Sequence, residues 1–136
     1  MESTITLDTF DHIGLVVKDA KAAAESWSAK LGVPEWRFTD AGILTLAHGW
    51  LGPVQYELIA PVEGKKSLWA DFLETRGEGL HHICHTVADV DKAAADLVEA
   101  GGNIMVSTPK VFAYVQIGGP GSVILELLRT RKPKEA

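Results

Sequence analysis

The sequence predicts an α+β fold built from two tandem βαβββ modules, on the strength of three observations. Strand-like runs alternate with alanine-rich helical runs, the order of these runs is repeated once along the chain, and the composition suits one packed core. Of 136 residues, 46% are hydrophobic and 23% are charged, which is ordinary globular usage. The length is that of a single domain, 1–136, with a first module at about 8–62, a helical linker at 63–77 and a second module at about 78–130.

The elements can be read in order. "DHIGLVVKD" is a short strand whose last residue, Asp19, is placed to cap the helix "AKAAAESWSAKLG", which stops at Gly32. "GILTLAH" and "VQYELIA" are β-type runs joined by the turn-rich "GWLGP", and they read as a hairpin. "SLWADFLETRG" is helical, with Ser67 as cap and Gly77 as stop. "HHICHTVAD" then repeats the strand-to-cap pattern, "VDKAAADLVEAGG" repeats the helix with its glycine stop, and "FAYVQIG" with "SVILELL" repeats the hairpin.

The repetition holds residue by residue. Setting His12 on His82 brings Ile13 onto Ile83, Val17 onto Val87, Asp19 onto Asp89 and Ala24 onto Ala94. A one-residue adjustment later brings Glu57 onto Glu126 and Leu58 onto Leu127. Each half therefore carries one histidine early and one glutamate late, which predicts two histidines and two glutamates at symmetric places.

Strand parity decides which side chains share a face. Ile13, Leu15 and Val17 form the face that packs under the helices, leaving His12, Gly14 and Val16 on the other. By the same rule His82, Cys84 and Thr86 share the face of His12. His81 and His85 fall on the helix side or its rim, as ordinary packed histidines. Glu57 and Glu126 lie in strongly apolar strands, where an unpaired carboxylate costs several kcal/mol, on the order of the penalties for buried charge. Those strands offer no basic residue before Arg129. A divalent ion held by two imidazoles and two carboxylates meets the need, and this donor set suits Co, Ni, Mn, Zn or Fe rather than Ca or Cu(I).

What the composition excludes is equally useful. The formal net charge of −5 and a pI near 5.5 give no electrostatic reason to expect nucleic acid or an anionic membrane as partner. No apolar run approaches the roughly 20 residues of a membrane span. The one cysteine, Cys84, rules out an internal disulfide framework, and the N-terminus lacks the pattern of a signal peptide. A cytoplasmic location is the default expectation.

The stretches "DHIGLVVKD", "YELIAP", "GEGLHHI" with "VADVDKAAADLVEAGG", and "VILELL" resemble the vicinal oxygen chelate superfamily of glyoxalases, bleomycin resistance proteins and dioxygenases. The resemblance runs from about Phe10 to Leu128 and is closest to the methylmalonyl-CoA epimerase branch. It implies an eight-stranded, half-open barrel around a metal, with His12, Glu57, His82 and Glu126 as ligands, and a homodimer. It also implies an isomerase, epimerase or lyase in which the metal assists removal of a proton next to a carbonyl. The substrate class is a small carbonyl compound, such as a 2-substituted acyl-CoA or a 2-oxo or 2-hydroxy acid.

The sequence departs from the branch at one expected base. The second glutamate of the epimerase pattern falls on Thr45, which is no general base near neutral pH, so Glu126 or Glu57 is left as the catalytic carboxylate. His48 and Tyr56 are off-face relative to Thr45 and Glu57. Tyr114 reads as a hydrogen-bond donor or, more simply, a strand aromatic, and Cys84 as a small buried hydrophobe. Trp36, Trp50 and Trp69 lie near loops as pocket walls or core anchors, and Lys65 with Lys66 form a basic pair that could meet a CoA phosphate or remain solvated. The competing readings are an iron-dependent dioxygenase, which needs only one carboxylate, and a metal-free small-molecule binding protein of the resistance kind.

Overall fold

The computed structural model describes residues 2–131; the basic tail beyond Arg131 lies outside the described residues. Eight strands and three helices follow in the order β1 (Phe10–Val16), α1 (Ala20–Leu31), β2 (Trp36–Asp40), β3 (Leu44–Leu51), β4 (Val54–Pro61), α2 (Leu68–Arg76), β5 (Gly79–Val87), α3 (Val90–Glu99), β6 (Asn103–Thr108), β7 (Phe112–Gln116) and β8 (Ile124–Arg129). The strands join in one mixed sheet, β2-β3-β4-β1-β5-β8-β7-β6, which is not closed. The fold is α+β, as the alternation of runs predicts.

Caps fix the helices where the sequence places them. The Asp19 side chain accepts a hydrogen bond from the Ala22 amide at 3.0 Å, and Asp89 does the same for Lys92 at 3.0 Å. Each satisfies one of the amide donors that a helix start leaves open. Ser67 caps α2 through the Ala70 amide at 3.0 Å. Gly32 ends α1 at φ 79, in the left-handed region that glycine enters without strain.

Two compact units divide the chain, one of His12–His81 and one of the residues up to Asp11 together with those from His82 onward. In the first, β1 runs parallel to β4, which pairs antiparallel with β3, and β3 with β2. Its core packs Val17, Ala20 and Ala24 against Ala47, Leu58 and Ala60. In the second, β5 runs parallel to β8, followed by antiparallel β7 and β6. Its core packs Val90, Ala94 and Leu97 of α3 against Val115, Leu125 and Leu127. The residues before His12 also pair here: the Asp8 amide donates to the Thr86 carbonyl and the Thr86 amide to the Thr9 carbonyl, each at 2.8 Å.

Two strands have no counterpart among the runs read as β-type in the sequence. β2 and β6 complete the βαβββ order of each half, and both are edge strands with mostly exposed side chains. Trp36 begins β2 and Trp50 is the penultimate residue of β3, each beside a loop, and Trp69 lies near the start of α2.

Candidate metal centre

The register of the parallel strand pairs is the same in both halves. Glu57 on β4 stands opposite Gly14 on β1, and Glu126 on β8 stands opposite Cys84 on β5. His12 and His82 each precede that partner by two residues, so each shares a face with the glutamate of its own half. The apolar neighbours Leu58 and Leu127 point the other way, into the two cores.

In the first unit, His12 Nε2 lies 3.5 Å from Glu57 Oε1. His12 is buried, and the Glu57 side chain is 13% exposed. In the second unit, His82 Nε2 lies 3.1 Å from Glu126 Oε1, with the His82 side chain fully buried. Each pair presents one ring nitrogen and one carboxylate oxygen, the donor types that bind divalent transition ions. Burial lowers the effective dielectric around both carboxylates, so a cation held there meets a stronger field than it would in water.

The antiparallel strands add residues that parity counting within one run did not find. His48 on β3 stands opposite Glu57, on the same face, and its Nε2 lies 2.8 Å from Glu57 Oε2. A carboxylate oxygen only accepts, so Nε2 carries the proton and donates. Thr45 stands opposite Ala60, in the helix-packed core. The place assigned to a second base at Thr45 is therefore corrected: Thr45 faces the helix side, and His48 is the β3 residue beside Glu57. Tyr56, opposite Ile13 and packed on Trp27 at 5.0 Å, is on the helix side as its parity requires.

Tyr114 takes the corresponding place in the second unit, opposite Glu126. It is 5% exposed, and its ring lies 4.7 Å from that of His82. It is thus part of this face rather than a plain strand aromatic. Cys84 is buried on the same face, opposite Glu126. His81 packs edge-on against Phe72 of α2 at 4.9 Å, and His85 edge-on against Phe10 at 5.3 Å, the roles of ordinary packed histidines. Lys65 and Lys66 are exposed in the loop before α2.

This duplicated arrangement has relatives. Residues 11–117 match the Glyoxalase/Bleomycin resistance protein/Dioxygenase superfamily. The chain belongs to that superfamily. It is 34% identical over 110 residues to an ethylmalonyl-CoA/methylmalonyl-CoA epimerase of Cereibacter sphaeroides, covering 76% of this chain and 80% of the relative. Its fold is similar to that of methylmalonyl-CoA epimerase from Mycobacterium tuberculosis, with a TM-score of 0.73 and 24% identity over 97% of this chain and 94% of that one. A Streptomyces coelicolor methylmalonyl-CoA epimerase variant in complex with 2-nitronate-propionyl-CoA gives a TM-score of 0.73 at 25% identity, covering 93% of this chain and all of that one. Among the described residues, no helix is long and apolar enough to cross a membrane.

Proposed function

We propose that the protein is a divalent-metal-dependent epimerase or isomerase acting on a carbonyl substrate of the acyl-CoA class, with His12, Glu57, His82 and Glu126 as the ligands of one ion. The observation that carries this reading is the duplicated His–Glu pair, held in each half by the same strand register. Two imidazoles and two carboxylates would suit Co, Ni, Mn, Zn or Fe. The similarity to enzymes that epimerise ethylmalonyl-CoA and methylmalonyl-CoA supports the acyl-CoA class.

When bound, the ion supplies stabilisation of negative charge that develops on a substrate carbonyl oxygen. The chain supplies the rest. Glu126 or Glu57 takes a proton from the carbon next to that carbonyl and can return it, the role that Thr45 cannot fill from the helix side. His48 holds Glu57 by its outer oxygen, and the apolar side chains Val16 and Ile59, buried on the same face, help exclude water. A homodimer and a cytoplasmic location belong to the same reading.

Two measurements on untagged protein test it. Plasma mass spectrometry is expected to find near one equivalent of metal in the wild type and little in His82→Ala or Glu126→Gln. Incubation with methylmalonyl-CoA in D2O is expected to place deuterium at the carbon between the two carbonyl groups, as seen by mass spectrometry, and Glu126→Gln is expected to slow this by at least about a hundredfold. A wild type that takes up none of the five ions would sink the catalytic reading and leave a binding protein. Iron together with oxygen consumption would move it to the dioxygenases.

A further inference from the structure

One row of residues crosses three strands of the first unit on the face of Glu57. Arg37 on β2 stands opposite His48 on β3, and His48 stands opposite Glu57 on β4. The corresponding row of the second unit is Val106, Tyr114 and Glu126. Duplication has kept the glutamate in both rows, while only the first carries a cation two strands away from it.

Arg37 and His48 line a recess of about 320 Å3 together with Glu35, Trp36, Trp50 and Gln55. Its size is at the low end for ligand sites, which suits part of a substrate rather than a whole coenzyme. Its polar lining is incompletely satisfied. His48 Nδ1 is buried without a hydrogen-bond partner among the described residues, a state that native proteins seldom tolerate without a reason. Arg37 takes part in no ion pair among the described residues, even though Glu35 shares the recess. Trp50, 52% exposed, gives the recess an apolar wall. Two inter-strand spacings place the Arg37 backbone about 10 Å from that of Glu57, a distance much of which an arginine side chain is long enough to reach across. A planar guanidinium matches the fork of a carboxylate or phosphate.

We infer that this recess binds an oxyanion of the substrate, a carboxylate or a phosphate, with Arg37 as its ion partner; the inference rests on the acyl-CoA reading above. It separates Arg37 from Lys65 and Lys66, which lie outside the recess.

Calorimetric titration of the metal-loaded, full-length protein tests this with three thioesters. Malonyl-N-acetylcysteamine carries an acyl carboxylate and no phosphate, propionyl-CoA carries phosphates and no acyl carboxylate, and propionyl-N-acetylcysteamine carries neither. Arg37→Ala is expected to weaken at least one of the two anionic ligands by about tenfold and to leave the uncharged one unchanged. Arg37→Lys is expected to recover part of the loss. A loss confined to the malonyl compound assigns the recess to the acyl carboxylate, and a loss confined to propionyl-CoA assigns it to phosphate. Equal affinities of wild type and Arg37→Ala for both anionic ligands, or an equal loss for the uncharged one, would overturn the inference. Metal content measured on the same samples separates the two failures. Retained metal without an arginine effect overturns this inference alone, whereas a wild type without metal overturns the proposed function and the inference with it.

Discussion

At the scale of single residues, the two glutamates are equivalent in the repeat but not in their surroundings. His48 Nε2 donates to Glu57 Oε2 at 2.8 Å, which leaves Oε1 on the side of His12 Nε2, 3.5 Å away. A partner that fixes a ligand's orientation in this way commonly changes metal affinity about 10- to 100-fold when it is removed. His48→Leu is therefore expected to weaken Co binding by about that factor, as measured by competition with a chelating dye. His48→Gln, whose amide nitrogen reaches near the place of Nε2, is expected to keep most of the affinity. Thr45 provides the contrast. It stands opposite Ala60 on the helix side, so Thr45→Val is expected to leave metal affinity and proton exchange within about twofold of wild type. A large loss of exchange with an unchanged fold would show that Thr45 reaches the substrate after all.

At the scale of elements, what was legible in the sequence depended on whether the signal was local. Asp19, Ser67 and Asp89 each announce a helix start because capping is a contact between near neighbours in the chain. Asp19→Ala and Asp89→Ala are each expected to cost about 1 kcal/mol in urea unfolding. A loss at only one of them would indicate that the other helix is held by packing alone. The strands "WRFTD" and "NIMVST" were not legible, because an edge strand buries little and so shows little apolar alternation. The candidate site residues followed the same division. The proposed ligands His12, Glu57, His82 and Glu126 could be picked out by superposing the two halves of the chain. His48 and Tyr114 could not, because the face of a strand is set by its register with a neighbour, which no single run encodes. Gly49 shows how tightly that register is packed: a Cβ there would lie 2.7 Å from the Trp36 ring. That ring is anchored by a 2.9 Å hydrogen bond from its Nε1 to Ser28 Oγ. Gly49→Ala is expected to destabilise the protein by about 1–3 kcal/mol, with a change in tryptophan emission as the local readout.

At the scale of the whole molecule, duplication explains how a chain of this size could supply the four ligands proposed above. Each half needs only one histidine and one glutamate at a fixed register. Each half also places its glutamate next to a leucine, Leu58 or Leu127, that is completely buried in that half's own core. The ligands are thus positioned by packing that does not depend on the metal, and metal-free protein should keep its fold. If one ion takes both pairs, its binding energy is added to the folded state as a whole, because the unfolded chain cannot present the four groups together. At a free metal concentration a hundred times the dissociation constant, the added stability is about 2.7 kcal/mol. The expected result is a cooperative rise in melting temperature on adding Co or Zn, reversed by EDTA. Hydrogen exchange should slow in β1 and β4 of one unit and in β5 and β8 of the other. His82→Ala should abolish the slowing in all four strands, because a centre that draws on both halves loses its hold on both when one ligand is removed. Protection that persists in β1 and β4 of that variant would mean that the first pair binds metal alone, with His48 as the nearest further donor.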